Sequence, residues 1–275
     1  MVFNSFAQYK KYKQKVAGKT SCGLRVNPEY SSVEVDLYNP CAPYSRLGIT
    51  KANFQENELN GIDGLHFHAL CEQNVDALEG ALANFEKNFG QYLPSMKWVN
   101  FGGGHHITRA DYDVEGLISL LKAFKKRYPH LEVYLEPGEA VGWQTGVLMA
   151  TVLDVIDNGI PLAILDTSAE AHMPDTLAMP YRAAIRGAGL SNEKKYTYRL
   201  GGNTCLAGDI IGDYSFDEPL KAGDKIILED MIHYTMVKTT TFNGINLPSI
   251  VLLKENDCYQ IVRNFGYNDY KGRLS

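Results

Sequence analysis

Five short apolar runs interleaved with helical stretches constrain this chain more than any other feature. The runs are VFNSF (2–6), SCGLRVN (21–27), GLHFHAL (64–70), KWVNFGG (97–103) and LEVYLEP (131–137). Among them, FAQYKKYKQKV, NVDALEGALANFEKNFG and YDVEGLISLLKAFKKRY place apolar residues at i, i+3, i+4 and i+7, the spacing of one helix face. Asn74 and Asp111 are the expected N-caps of the last two. Alternating strands and helices imply a parallel sheet with helices packed outside it. Beyond residue 140 the texture turns strand-rich, through VGWQTGVLMATVLDVI, LAILDTS, KYTYRLGG, DKIILED, YTMVKTTTFNG, SIVLLKE and CYQIVRN. Turn residues separate these runs, which predicts a mainly antiparallel β-domain. The expected division is 1–139 and 140–275.

Composition excludes several classes. A chain of 275 residues, 45% hydrophobic, can bury a sizeable core. No apolar run approaches the roughly 18 residues that span a bilayer, so no membrane partner is expected. A net charge of −5 gives no reason for nucleic-acid binding and is compatible with a cationic small substrate. The five cysteines (Cys22, Cys41, Cys71, Cys205 and Cys258) form no CxxC pair, and MVFNSFAQYKKYKQKV lacks a signal-peptide apolar region. Free thiols and a cytoplasmic location are the expectation.

Unusual residues gather where the predicted parallel strands end. His68 follows GLHF, Gly102, Gly103 and Gly104 follow WVNF, and Glu136 follows VYL. In parallel barrels those ends form the chemical face. Three glycines let backbone N–H groups converge on an anion, although a plain tight turn uses glycine equally well. A metal site is not expected. Adjacent His105 and His106 point apart, and His66 and His68, an HxH pair, have only Glu72 and Asp63 nearby on flanking segments. A satisfied histidine in the barrel wall is the expected role of His66.

The stretches LRVNPEY, VEVDLYNPCAPYSRLGI, GLHFHALCEQN, WVNFGGGHHITRADYDVE, YLEPGEAVGWQTG, ILDTSAEAHMPD, RLGGNTCLAGD, IGDYSF and EDMIHYTMVKTTTFNG carry a resemblance over almost the whole chain. Together they resemble the ornithine/diaminopimelate decarboxylase group of pyridoxal-phosphate enzymes, and within it the carboxynorspermidine/carboxyspermidine decarboxylases. The resemblance implies an incomplete α/β barrel, about strands 4–8 of a cofactor-binding (β/α)8 barrel with an alanine-racemase-like fold, followed by the β-domain. It implies pyridoxal 5'-phosphate as cofactor. Glu136 would pair with the protonated ring nitrogen and His68 would lie against the ring face. Gly102, Gly103 and Gly104 would donate N–H groups to the phosphate, with Cys71 nearby and the Tyr234 hydroxyl added. Arg46 would buttress the histidine. Cys205 would protonate the product from a loop, NTCLAGD, that enters the neighbouring subunit's site in a homodimer; Asp209 belongs to the same loop.

The resemblance also implies a substrate: a carboxylated polyamine precursor that loses CO2. Where relatives usually carry arginine after EPG this chain has Glu139, which repels a distal carboxylate and favours a cation. Asp175 and Asp166 are further expected amine contacts, and Asp209 is a further expected substrate contact. Diaminopimelate decarboxylation is the alternative opposed by Glu139, and a non-catalytic homologue that binds partner subunits is the alternative from another class. The family's cofactor-bearing lysine lies on the first barrel strand, and the chain opens at what resembles the fourth. Lys10, Lys11, Lys13 and Lys15 are expected on a solvated helix face.

Overall fold

The computed structural model describes residues 1–179, 181–255 and 258–274. The chain divides into two compact units, Met1–Val141 and Gly142–Ser275.

The first unit is built on β1 (Val2–Phe3), α1 (Phe6–Val16), β2 (Gly23–Arg25), β3 (Gly64–His66), α2 (Val75–Phe89), β4 (Trp98–Asn100), α3 (Val114–Arg127), β5 (Glu132–Tyr134) and a short α4 (Gly138–Gly142). The five strands pair in sequence order and every pairing is parallel. All five predicted runs form strands, each shorter than its run. Side chains alternate across a strand, so the sheet has two different faces. Leu24, Leu65, Phe67, Val99 and Phe101 line the buried one, and Phe85 of α2 and Phe124 of α3 close over it. Ring centroids lie 4.8 Å apart for Phe67–Phe85 and 5.1 Å for Phe101–Phe124. Burying one such side chain contributes about 1.5–3 kcal/mol. Residues one position out of phase (Arg25, His66, Asn100 and Tyr134) share a single register row on the other face. At the opposite end of that face the Trp98 ring lies over Gly23 and Gly64, where a Cβ on either glycine would come within 2.2 Å of it.

Helix ends follow side-chain chemistry. Ser5 caps α1 by accepting from the Gln8 N–H. The cap of α3 is Asp113, which accepts from the Gly116 N–H at 2.8 Å. Asp111, the expected cap, is instead taken by Arg109 at 2.5 Å. Asn74 holds the cap position of α2, but its side-chain oxygen accepts from Arg109 rather than from the helix. Along α1, Phe6, Tyr9 and Val16 are buried, while Lys10 pairs with Glu58 and Lys13 reaches the Asn60 carbonyl.

The second unit contains β6 (Val147–Asp157), β7 (Pro161–Leu165), α5 (Ala169–His172), α6 (Asp175–Ala178), β8 (Tyr196–Gly201), β9 (Ile210–Phe216), β10 (Lys225–Glu229), α7 (His233–Val237), β11 (Ile250–Leu253), β12 (Tyr259–Arg263) and α8 (Tyr267–Leu274). Its main sheet runs β10-β6-β7-β8-β9, antiparallel except for the parallel β7–β8 pair, and β11 pairs with β12. Ala163, Leu165, Leu200, Tyr214 and Leu228 are fully buried in its core. Two expectations change here. YTMVKTTTFNG folds as α7 and a turn around Asn243, whose φ is 58°, rather than as a strand. IIGDYSF forms β9, a strand hidden in the sequence by its central Gly-Asp. No helix among the described residues is long and apolar enough to cross a membrane.

Candidate active site

The register row brings the first unit's candidate residues together at the carboxyl ends of β3, β4 and β5. Asn100 is buried, and its amide bridges two elements. Oδ1 accepts the Gly102 N–H at 2.8 Å, and Nδ2 donates to Glu136 Oε1 at 2.7 Å. The backbone repeats the link, since the Glu136 N–H donates to the Gly102 carbonyl at 2.9 Å. Gly103 donates its N–H to His68 Nδ1 at 2.9 Å, so that nitrogen carries no proton. A Cβ at Gly103 would lie 2.5 Å from the Glu136 carbonyl oxygen, and only glycine admits this approach. The Glu136 side chain remains 54% exposed, with its second oxygen 3.8 Å from His66 Nε2.

Burial sets the histidines' charge. It lowers His66 to about 4, against the opposing pull of Glu136. His105, which donates its Nε2–H to the Gly102 carbonyl at 3.0 Å, is lowered to about 4 for the same reason. His68 is lowered by burial and then by the Arg25 guanidinium. The expected satisfied role of His66 needs correction: its Nδ1 is buried with no hydrogen-bond partner among the described residues. These shifts predict acid sensitivity. An unfolded histidine binds its proton near pH 6.5, whereas His66 and His105 stay neutral down to about 4. Between those values the unfolded chain binds more protons, so stability falls as pH drops from 6.5 toward 4 and levels off below. Each histidine steepens that fall by up to about 1.4 kcal/mol per pH unit. Urea unfolding at pH 4.5 and 7 should show the loss, and His105→Asn should reduce it; an unchanged difference in the variant would sink the assignment.

Several expected residues sit elsewhere. Arg46 is exposed, yet near enough for its charge to act on Arg25, and it is the Arg25 guanidinium that lies 3.5 Å from the His68 carbonyl. Arg25 shares the register row, whereas Arg46 lies on a loop that a sequence motif alone does not place. Gly102 and Gly103 spend their N–H groups inside the protein, so of the three only the Gly104 N–H has no acceptor among the described residues. Cys71 is half-buried with its backbone against Gly104, where a Cβ would come 2.9 Å from its nitrogen. Glu139 is half-buried on α4 and joins Glu72 and buried His106, ligand atoms of all three lying within 4.8 Å of one another. Glu72 therefore converges on His106 rather than on the HxH pair, while Asp63 binds Lys97 and Ser21.

In the second unit Asp209 is buried and accepts from Ser168 Oγ, the Ala169 and Glu170 N–H groups, and both the N–H and hydroxyl of Thr204. Five donors saturate a carboxylate, so Asp209 anchors its loop and offers nothing to a substrate. Cys205 is exposed on that loop, which is pinned again where its N–H donates to Asn243 Oδ1 at 2.6 Å. Asp166 is exposed, and its Oδ1 accepts the Thr151 N–H at 2.6 Å. Asp175 forms a salt bridge with Lys238, so its charge is already met. Tyr234, 56% exposed on α7, lies under that lysine, whose Nζ is 5.6 Å from the ring centroid.

The first unit thus holds an outward carboxylate, a neutral imidazole fixed beside it, and a glycine loop too tight for any Cβ. These are the groups a pyridine ring nitrogen, an aromatic ring face and a phosphate call for, so the residues present suit pyridoxal phosphate. Asn100 and Arg25 are the residues that reasoning from motifs missed. Their signal was the polar phase of the period-2 alternation in LRVN and WVNF.

Comparison with known proteins identifies the family. Residues 8–232 match the family described as pyridoxal-dependent decarboxylase, C-terminal sheet domain. A carboxynorspermidine/carboxyspermidine decarboxylase of Campylobacter jejuni subsp. jejuni is 55% identical, over 99% of this chain and 74% of its own length. A carboxyaminopropylagmatine decarboxylase of Synechocystis sp. is 49% identical, over 100% of this chain and 71% of the relative. The crystal structure of carboxynorspermidine decarboxylase from Campylobacter jejuni complexed with norspermidine superposes with a TM-score of 0.90 at 53% identity, covering 99% of this chain and 74% of that one. Diaminopimelate decarboxylase from Helicobacter pylori, at 18% identity and a TM-score of 0.77, shares the fold. With a cofactor-shaped strand-end site and a family match spanning most of its length, the chain belongs to the pyridoxal-dependent decarboxylases.

Proposed function

We propose that the full-length protein containing this chain decarboxylates carboxynorspermidine or carboxyspermidine, releasing CO2 and the corresponding polyamine. The observation that carries this reading is the Glu136 carboxylate, held by Asn100 beside His68 in a chain 55% identical to a decarboxylase of those compounds. The five parallel strands then correspond to strands 4–8 of an eight-stranded barrel. Bound pyridoxal phosphate supplies the electron sink that makes loss of CO2 feasible. Glu136 accepts the ring N–H and keeps that nitrogen protonated. His68 presents a neutral ring face, locked by the Gly103 N–H. The Gly104 N–H, beside Cys71, would hold the phosphate. In a homodimer, the exposed thiol of Cys205 from one copy delivers a proton to the substrate carbon in the other.

Glu139 sets the substrate class, as a carboxylate that meets an ammonium and rejects a distal carboxylate. Glu72, in the same cluster, adds to that negative field. In the full-length protein, Glu139→Arg should lower kcat/KM for carboxynorspermidine by at least 30-fold, about 2 kcal/mol for a reversed buried pair. Affinity for pyridoxal phosphate should stay within about threefold over the same comparison. A panel of carboxynorspermidine, carboxyspermidine, carboxyaminopropylagmatine and diaminopimelate measures it. A native preference for diaminopimelate or carboxyaminopropylagmatine, or a parallel loss of cofactor affinity and turnover in the variant, would overturn the reading.

A further inference from the structure

We infer that Asn100 is a positioning residue that aims the Glu136 carboxylate by donating to one of its oxygens while the glycine loop fixes the amide. This rests on the reading that Glu136 pairs with the cofactor's ring nitrogen. The amide orientation follows from chemistry. Gly102 N–H is a donor and needs Oδ1, so Nδ2 must face Glu136, as it does at 2.7 Å. Asn100 itself is 9% exposed, on a strand flanked in register by His66 and Tyr134, and has no freedom to turn away. A half-exposed glutamate on a loop has several rotamers, and one bond from a buried amide selects among them. Backbone pairing of Glu136 N–H to the Gly102 carbonyl holds the loop but leaves the carboxylate's direction open. Asn100 supplies that direction, and it couples the ring-nitrogen partner to the phosphate loop through one side chain.

The charged and titratable groups around this amide are Glu136, His66, His68, Arg25, His105 on the Gly102 carbonyl, and Tyr134, whose hydroxyl is bonded to Glu132. Burial keeps His66 and His105 neutral down to about 4, so neither titrates in a measurement from pH 6 to 9. Dividing by the wild-type value at each pH removes any titration that variant and wild type share.

The decisive variant is Asn100→Asp, isosteric and still able to accept the Gly102 N–H. It replaces the donor facing Glu136 with a second carboxylate oxygen at the same short distance. Two carboxylates so close retain a shared proton at low pH, and the protonated form still donates to Glu136. Affinity for pyridoxal phosphate, titrated by absorbance in the full-length protein and divided by the wild-type value at each pH, is the readout. Asn100→Asp should match wild type within about threefold at pH 6 and bind at least about tenfold more weakly at pH 9. Asn100→Ala should be weakened by one factor at every pH, which a merely structural loss would share with Asn100→Asp. A ratio independent of pH for Asn100→Asp, with Glu136→Gln clearly weakened, overturns the inference and leaves the function standing. Unchanged affinity in Glu136→Gln overturns the inference, and an unchanged kcat beside it overturns the reading of Glu136 as well. Should Asn100→Asp fail to fold, a double-mutant cycle decides. On the Glu136→Gln background, Asn100→Ala should cost no more than about twofold in affinity, whereas multiplicative losses would show that Asn100 acts independently of Glu136.

Discussion

Replacing Glu136 with glutamine in the full-length protein should reduce kcat by about 10²–10³-fold, because one preorganised charge at the reacting system is removed. Glutamine is nearly isosteric, and its carbonyl oxygen can still accept the Asn100 amide, so the strand end keeps its shape. What disappears is the negative charge that stabilises a protonated ring nitrogen. The carboxylate is half-exposed on one side and held by the buried amide on the other. Steady-state turnover is the measurement, paired with cofactor affinity. An unaltered kcat would remove Glu136 from the chemistry. A loss wholly explained by unbound cofactor would make it a binding residue only.

Cys205→Ala should slow polyamine formation by about 10²–10⁴-fold, the usual contribution of a positioned acid. CO2 release should fall less, since it needs the electron sink rather than the thiol. In the proposed role, the proton that leaves the Cys205 sulfur forms the new C–H bond on the substrate carbon. Without that acid, part of the decarboxylated substrate would leave as a by-product other than the polyamine. CO2 released per polyamine formed should therefore rise above one. The loop suits this role, because Asp209 takes five donors and Asn243 holds the Cys205 N–H, leaving the thiol exposed on a fixed backbone. Mixing Cys205→Ala subunits with Glu136→Gln subunits tests the shared site. A mixed dimer would own one site with both groups intact, so random exchange should recover about a quarter of wild-type activity. No recovery despite demonstrated exchange would place Cys205 in its own subunit's site or outside the reaction.

Much of this was legible in the residues themselves. The alternation in GLHFHAL and KWVNFGG announced strands, and the spacing in NVDALEGALANFEKNF announced a helix whose Leu78, Leu82, Phe85 and Phe89 are buried. Both patterns are local, set by the periods of strand and helix, and neighbouring residues suffice to show them. Glu136, His68 and the glycines were likewise marked by their position at strand ends. Illegible were the partners. Nothing near WVNF says that Asn100 will meet Glu136, because that contact follows from the register between β4 and β5, strands separated by a whole helix. Register also put Arg25 rather than Arg46 beside His68, and it spent two of the three glycine N–H groups on Asn100 and His68. Asp209, expected at the substrate, is saturated by the protein's own donors, and Asp175, expected at an amine, is paired with Lys238. Periodicity and residue type determined which strands and which chemistry this protein would have. Tertiary structure alone decided which donor faces which acceptor, since a hydrogen bond depends on tenths of an ångström between segments that sequence distance does not relate.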